Sequence, residues 1–225
     1  MKELLEEFMH LKQNDILVYN EISLQLELGL YLRQNGYTVR FERNIGEYVD
    51  DTSNFVKKEI DIVAYKKGEN ELEADKGENE LKAEKIAIEL KFSRNGEYPE
   101  QMFSFVKDIM FMEQVKKSVG GFSKTFVVVL VDDKNFYENN KRQPVPYGIY
   151  SYFRSDKKKV CIPANTIIKK PTGKIINKPT GKKVQSISGL NNQYKSTWEQ
   201  PTATWLDAKT EQDKEKYRYY IIECQ

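Results

Sequence analysis

Two segments, Glu59-Ile-Asp-Ile-Val-Ala-Tyr and Lys85-Ile-Ala-Ile-Glu-Leu-Lys-Phe, alternate apolar residues with others and are rich in β-branched side chains. A period of two belongs to the extended chain, in which successive side chains point to opposite faces. The pattern therefore predicts two strands and assigns their faces. Ile86, Ile88 and Leu90 share one face of the second strand, and Glu89 and Lys91 share the other. Asp61, near the start of the first strand, comes beside them if the two strands pair as a hairpin. Alternation of this kind also suits the solvent face of an edge strand, so the spacing by itself does not decide whether the charges are buried.

The flanking segments frame these strands. Residues 1–13 place Leu4, Leu5, Phe8 and Leu11 at helical spacing. A longer helix is predicted from about Asn20 to Gln34, stopped by Asn35-Gly36. Its Leu24, Leu26, Leu28, Leu30 and Leu32 alternate as in a strand, but the run is long and poor in β-branched residues. On a helix this alternation puts leucines on opposite sides, which predicts cover on two sides. Thr38-Val-Arg-Phe-Glu-Arg reads as a strand. Pro99 to Lys117 reads as a helix with Met102, Val106, Ile109, Met110 and Val115 inside, stopped by Gly120-Gly121. Thr125-Phe-Val-Val-Val-Leu-Val is a continuous apolar run, as expected of a strand covered on both faces. Later strands are predicted at Tyr147-Gly-Ile-Tyr-Ser-Tyr-Phe and Tyr217-Arg-Tyr-Tyr-Ile-Ile-Glu. The order is helix, three strands, helix, strand: a mixed α/β core.

The 225 residues suffice for one sizeable domain with additions. We expect a core with its N-terminal helix over 1–135 and a basic C-terminal extension over 136–225, packed on the same domain. No apolar run approaches the roughly 18–20 residues of a membrane span. The acidic start reads as an amphipathic helix, and Cys161 and Cys224 lack metal-site spacing. A cytoplasmic location with reduced thiols is the expectation. His10, the sole histidine, reads as a surface helix residue.

A net charge of +2 does not by itself indicate nucleic acid, but it conceals opposed patches. Gly68-Glu-Asn-Glu-Leu recurs at Gly77 in an acidic stretch, and Lys170-Pro-Thr-Gly-Lys recurs at Lys178 in a basic one. Lys157, Lys158, Lys159, Lys170, Lys174, Lys178 and Lys182 are candidate phosphate contacts; a solvated lysine loop is the alternative.

Two carboxylates and a lysine on adjacent strands suit phosphodiester hydrolysis. Asp61 and Glu89 can hold a hard divalent cation, with the Leu90 carbonyl as a further ligand. Such a cation lowers the pKa of bound water, and Lys91 can orient that water, help deprotonate it or stabilise charge on the phosphate.

Ile60-Asp61 followed by Glu89-Leu90-Lys91 resembles the PD-(D/E)XK nuclease superfamily, which includes restriction endonucleases and Holliday-junction resolvases. The resemblance covers about half the chain. It implies a restriction-endonuclease-like αβββαβ core, with a central mixed sheet flanked by helices and additional C-terminal strands. It also implies a Mg²⁺-dependent (or Mn²⁺-dependent) endonuclease acting on DNA in restriction, defence or repair. Glu21 falls where members carry a helix glutamate that binds metal through water. Gln101 resembles a glutamine that some branches place at the start of the following helix. Ile60 stands where the motif's proline would be, and the acidic insert lengthens the interval from Asp61 to Glu89 to 28 residues. A homodimer is expected if both strands of a duplex are cut. A non-catalytic nucleic-acid-binding or assembly subunit with the same fold is the alternative.

Overall fold

A computed structural model describes residues 1–13, 17–66, 84–94, 96, 98–138, 148–154, 158–169, 186–187 and 190–225. The elements in chain order begin with α1 (Lys2–Phe8), α2 (Glu21–Gln34), β1 (Tyr37–Asn44), β2 (Glu59–Lys66) and β3 (Lys85–Ser93). Next come α3 (Tyr98–Lys117), β4 (Phe122–Val131), α4 (Tyr150–Phe153), β5 (Lys159–Ile162), β6 (Ile168–Lys169) and β7 (Ser186–Ile187). The chain ends with β8 (Tyr194–Thr197), α5 (Glu211–Lys214) and β9 (Arg218–Cys224). The main sheet has five strands in the order β1-β2-β3-β4-β9. Only β3 and β4 run parallel; the other neighbours are antiparallel. The parallel pair requires a crossover, which α3 supplies.

Helix α2 forms where the sequence places its boundaries. The Asn20 side chain accepts from Ser23 N–H at 2.8 Å, and Ser23 Oγ accepts from Asn20 N–H at 3.0 Å. This reciprocal cap satisfies two otherwise orphaned donors. Gly36 follows the helix at φ +85°, where a Cβ would be strained. Gly29 lets the helix lie close on β1, because a Cβ there would stand 2.2 Å from the Phe41 ring.

The sheet separates two apolar layers. Ile62, Ala64, Ile86, Ile88, Leu90, Phe126, Val128 and Leu130 pack with Leu5 and Phe8 of α1, Leu24, Leu28 and Leu32 of α2, and Trp205. Ile60, Val63, Ala87, Val127 and Val129 face the other way and pack with α3 through Met102, Phe105, Val106, Ile109 and Met112. Strand β4 is accordingly buried on both faces.

Four expectations are corrected. The first helix ends at Phe8, so it is shorter than 1–13. The leucines of α2 are covered on one side only: Leu26 and Leu30 remain 49% and 50% exposed. The segment ending at Phe153 forms the short helix α4 over its described part, not a strand; Tyr147 lies outside the described residues. His10 is at the surface as expected but lies just beyond α1, not on it; its ring nitrogens bond Thr202 Oγ1 at 2.9 Å and Tyr219 OH at 3.1 Å. Both repeated pentapeptides lie outside the described residues. Cys161 and Cys224 are free thiols, and among the described residues no helix is long and apolar enough to cross a membrane.

Candidate active site

Strands β2 and β3 part company at Asp61. The ladder pairs Ile62 with Ile88 and runs on to Tyr65 and Lys85, but it does not extend past Ile62 towards the start of β2. There the Asp61 carboxylate takes over as acceptor, and Leu90 N–H donates to Asp61 Oδ2 at 2.7 Å. On the other side of β2, the register with β1 passes from Ile62 to Ile60 without a pair at Asp61. Glu42, opposite this break, adopts φ +50°. Gln25 of α2 spans the break: its Nε2 donates to Asp61 O and to Glu42 Oε1, each at 2.6 Å. Asp61 is thus held by a side-chain clamp where regular pairing stops, leaving its carboxylate at the end of the hairpin.

On β3 the predicted alternation holds. Ile86, Ile88 and Leu90 face α2, while Glu89 and Lys91 share the α3 side. That side is no solvent face, since Glu89 is 0% exposed. The charges meet two groups that the sequence reading did not single out. Lys57, two residues before β2, bonds Glu89 Oε2 and lies 3.2 Å from Asp108 Oδ1. Asp108 is 1% exposed on α3, and its other oxygen lies 3.9 Å from Lys91 Nζ. Lys91 Nζ also donates to Glu21 Oε1 at 2.8 Å and to the Leu90 carbonyl at 3.0 Å. Glu21 Oε2 accepts from Phe92 N–H at 3.2 Å.

Asp61, Glu89, Leu90, Lys91 and Glu21 are therefore gathered at the carboxyl end of β3, where ligands of α/β sheets commonly bind. Gln101, in the first turn of α3, accepts from Ser93 Oγ at 3.2 Å. It sits at the edge of the row formed by Glu89, Lys91 and Ser93. Lys159 lies on a different element, the β5–β8 pair, and Lys158 just before it stands with its ammonium 5.6 Å from the Tyr137 ring centroid. Lys157, Lys170, Lys174, Lys178 and Lys182 lie outside the described residues.

Asp108 had a sequence signal. It falls between Phe105, Ile109 and Met112 on the inner stripe of α3, where an acid interrupts an apolar face. Lys57 had none, because it belongs to no periodic segment.

Electrostatics explain the behaviour of each group. Four carboxylates, Glu21, Asp61, Glu89 and Asp108, surround two ammonium groups, a formal charge of −2 when all are ionised. Burial raises the Asp61 carboxyl to about 6, against the pull of Lys57 and Lys91. Glu89 is raised well above its ordinary value by burial, then by Asp61 and Asp108, with Lys57 opposing. Burial pulls Lys57 and Lys91 down, but Asp108 and the other acids outweigh it and hold both above the usual lysine value. Both side chains are therefore ammonium groups at neutral pH.

Among the described residues, no three acidic, histidine or cysteine side chains already converge as a finished metal cage. The donors nonetheless suit a hard divalent cation. They are carboxylate and carbonyl oxygens, and Glu89 Oε1 is buried without a hydrogen-bond partner among the described residues. A deeply buried carboxylate oxygen of this kind is expected to have a partner, and a bound cation would provide one. No model of a protein family, no curated protein and no solved structure matches this chain.

Proposed function

We propose that this protein is a metal-dependent endonuclease that hydrolyses DNA phosphodiester bonds, with a centre of the PD-(D/E)XK kind. The observation that carries the reading is the junction at Asp61. A carboxylate caps the end of a strand pairing, next to a lysine and a buried glutamate on one face, one oxygen of that glutamate having no hydrogen-bond partner among the described residues. The helix and strand order from α2 to β4 supports the restriction-endonuclease-like assignment.

Asp61, Glu89 and the Leu90 carbonyl would hold Mg²⁺ or Mn²⁺, with Glu21 close enough to act through water. The cation would supply Lewis acidity and an acidified water. Lys91 is held by Glu21 and the Leu90 carbonyl as a positive charge. Its role is to orient the attacking water and to stabilise charge growing on the phosphate, rather than to accept a proton. Gln25 keeps the Asp61 backbone in place while the carboxylate binds.

The test is cleavage of duplex, single-stranded and branched DNA, with Mg²⁺ or with a chelator present. Cleavage that requires the cation and is lost in Asp61→Ala and Lys91→Ala is expected. Absence of cutting on every substrate, or equal cutting by the variants, would overturn the reading.

A further inference from the structure

Lys57 comes from the segment before β2, yet its ammonium lies inside the centre. It bridges Glu89 Oε2 and Asp108 Oδ1, two carboxylates that are 0% and 1% exposed. The ring of Phe111 lies 5.7 Å from the nitrogen. Each of the bridged acids keeps one buried oxygen without a hydrogen-bond partner among the described residues, Glu89 Oε1 and Asp108 Oδ2. Two buried acids joined through a single cation, with oxygens to spare, form the arrangement that a second divalent ion takes in two-metal phosphodiesterases. Here that place is filled by a tethered ammonium.

We propose that Lys57 is a built-in substitute for a second metal ion, so that the centre takes one divalent cation, on the Asp61 side of Glu89. The proposal rests on the metal-dependent reading above. The physical case has two parts. The first is charge: buried carboxylates need a counter-charge, and one ammonium between Glu89 and Asp108 supplies it without the dehydration that a divalent ion requires. The second is position: Lys57 takes up one oxygen of each acid, and Glu89 Oε1, with no hydrogen-bond partner among the described residues, is left for the ion. Asp108 is then a positioning residue. It lies between Lys57 and Lys91 and sets where both ammonium groups stand.

Counting bound Mn²⁺ tests this without measuring catalysis. Metal-free protein is dialysed to equilibrium against Mn²⁺, and the bound ion is quantified by electron paramagnetic resonance. One ion per chain is expected for the wild type. Lys57→Met removes the ammonium but keeps most of the stem, and should double the bound Mn²⁺. Lys57→Arg keeps the charge and should leave the count at one. Lys57→Gln keeps a hydrogen-bond donor between the acids and is the second variant should Lys57→Met not fold; it too should double the count. Two ions on the wild type, or one ion on a folded Lys57→Met or Lys57→Gln protein, would overturn the proposal while leaving the metal-dependent reading intact. No ion on the wild type would overturn both.

Discussion

On one face of β3, Ile86, Ile88 and Leu90 pack in a single apolar cluster with Leu24, Leu28 and Leu32 of α2. On the other face, Glu89 and Lys91 stand with Asp108 of α3 and with Lys57. Burial on the first face stabilises the fold, at roughly 25 cal/mol per Å² of apolar surface removed from water. On the second face the same burial strips water from charges, and acids in excess of lysines leave the cluster short of positive charge. The helix covering the first face anchors the strand. The helix covering the second holds a buried charged centre, which under the proposed function gives up some stability to leave room for a cation.

The largest expected effect breaks the charged face. Lys91→Ala should slow metal-dependent DNA cleavage by about 10²- to 10⁴-fold, measured under single-turnover conditions. The apolar face should respond in stability instead. Ile88→Ala should lower the unfolding free energy by about 2–5 kcal/mol in urea titrations, since the residue is fully buried between sheet and helix.

A pH series sharpens the contrast. In the folded protein the Asp61 carboxyl is raised from 3.8 to about 6. The folded state therefore holds that proton more tightly than the unfolded chain. The resulting stabilisation is complete below about pH 4 and is lost as pH rises through about 6. Metal-free protein should lose stability across that window, and Asp61→Asn should make the fall shallower. An unchanged slope would show that Asp61 does not carry it.

The smallest effect is expected on the outer side of α2. Leu26→Ser should change stability by no more than about 0.5 kcal/mol, because Leu26 is half exposed while Leu24 and Leu28 carry the packing.

The same contrast shows how far the sequence could be read. Strand periodicity placed Glu89 and Lys91 on one face, and cap and stop residues bounded α2, because both signals are local. Periodicity could not say that the α3 side is closed, since closure depends on what a distant helix brings. Asp108 was visible as an acid in an apolar stripe, but its partners in space were not. Lys57 enters from an irregular segment, so only the fold reveals it. The outward side of α2 was misjudged for the same reason, because alternation counts leucines without showing what covers them.

The most direct measurement takes Glu89→Gln and determines its cleavage rate and its unfolding free energy side by side. Neutralising one acid in a cluster with excess negative charge should leave stability equal to or above that of the wild type. Cleavage should fall by about 10²- to 10³-fold, as one ligand oxygen set is lost. A variant that loses stability while cutting DNA at the wild-type rate would contradict the account, because Glu89 would then serve the fold and not the chemistry.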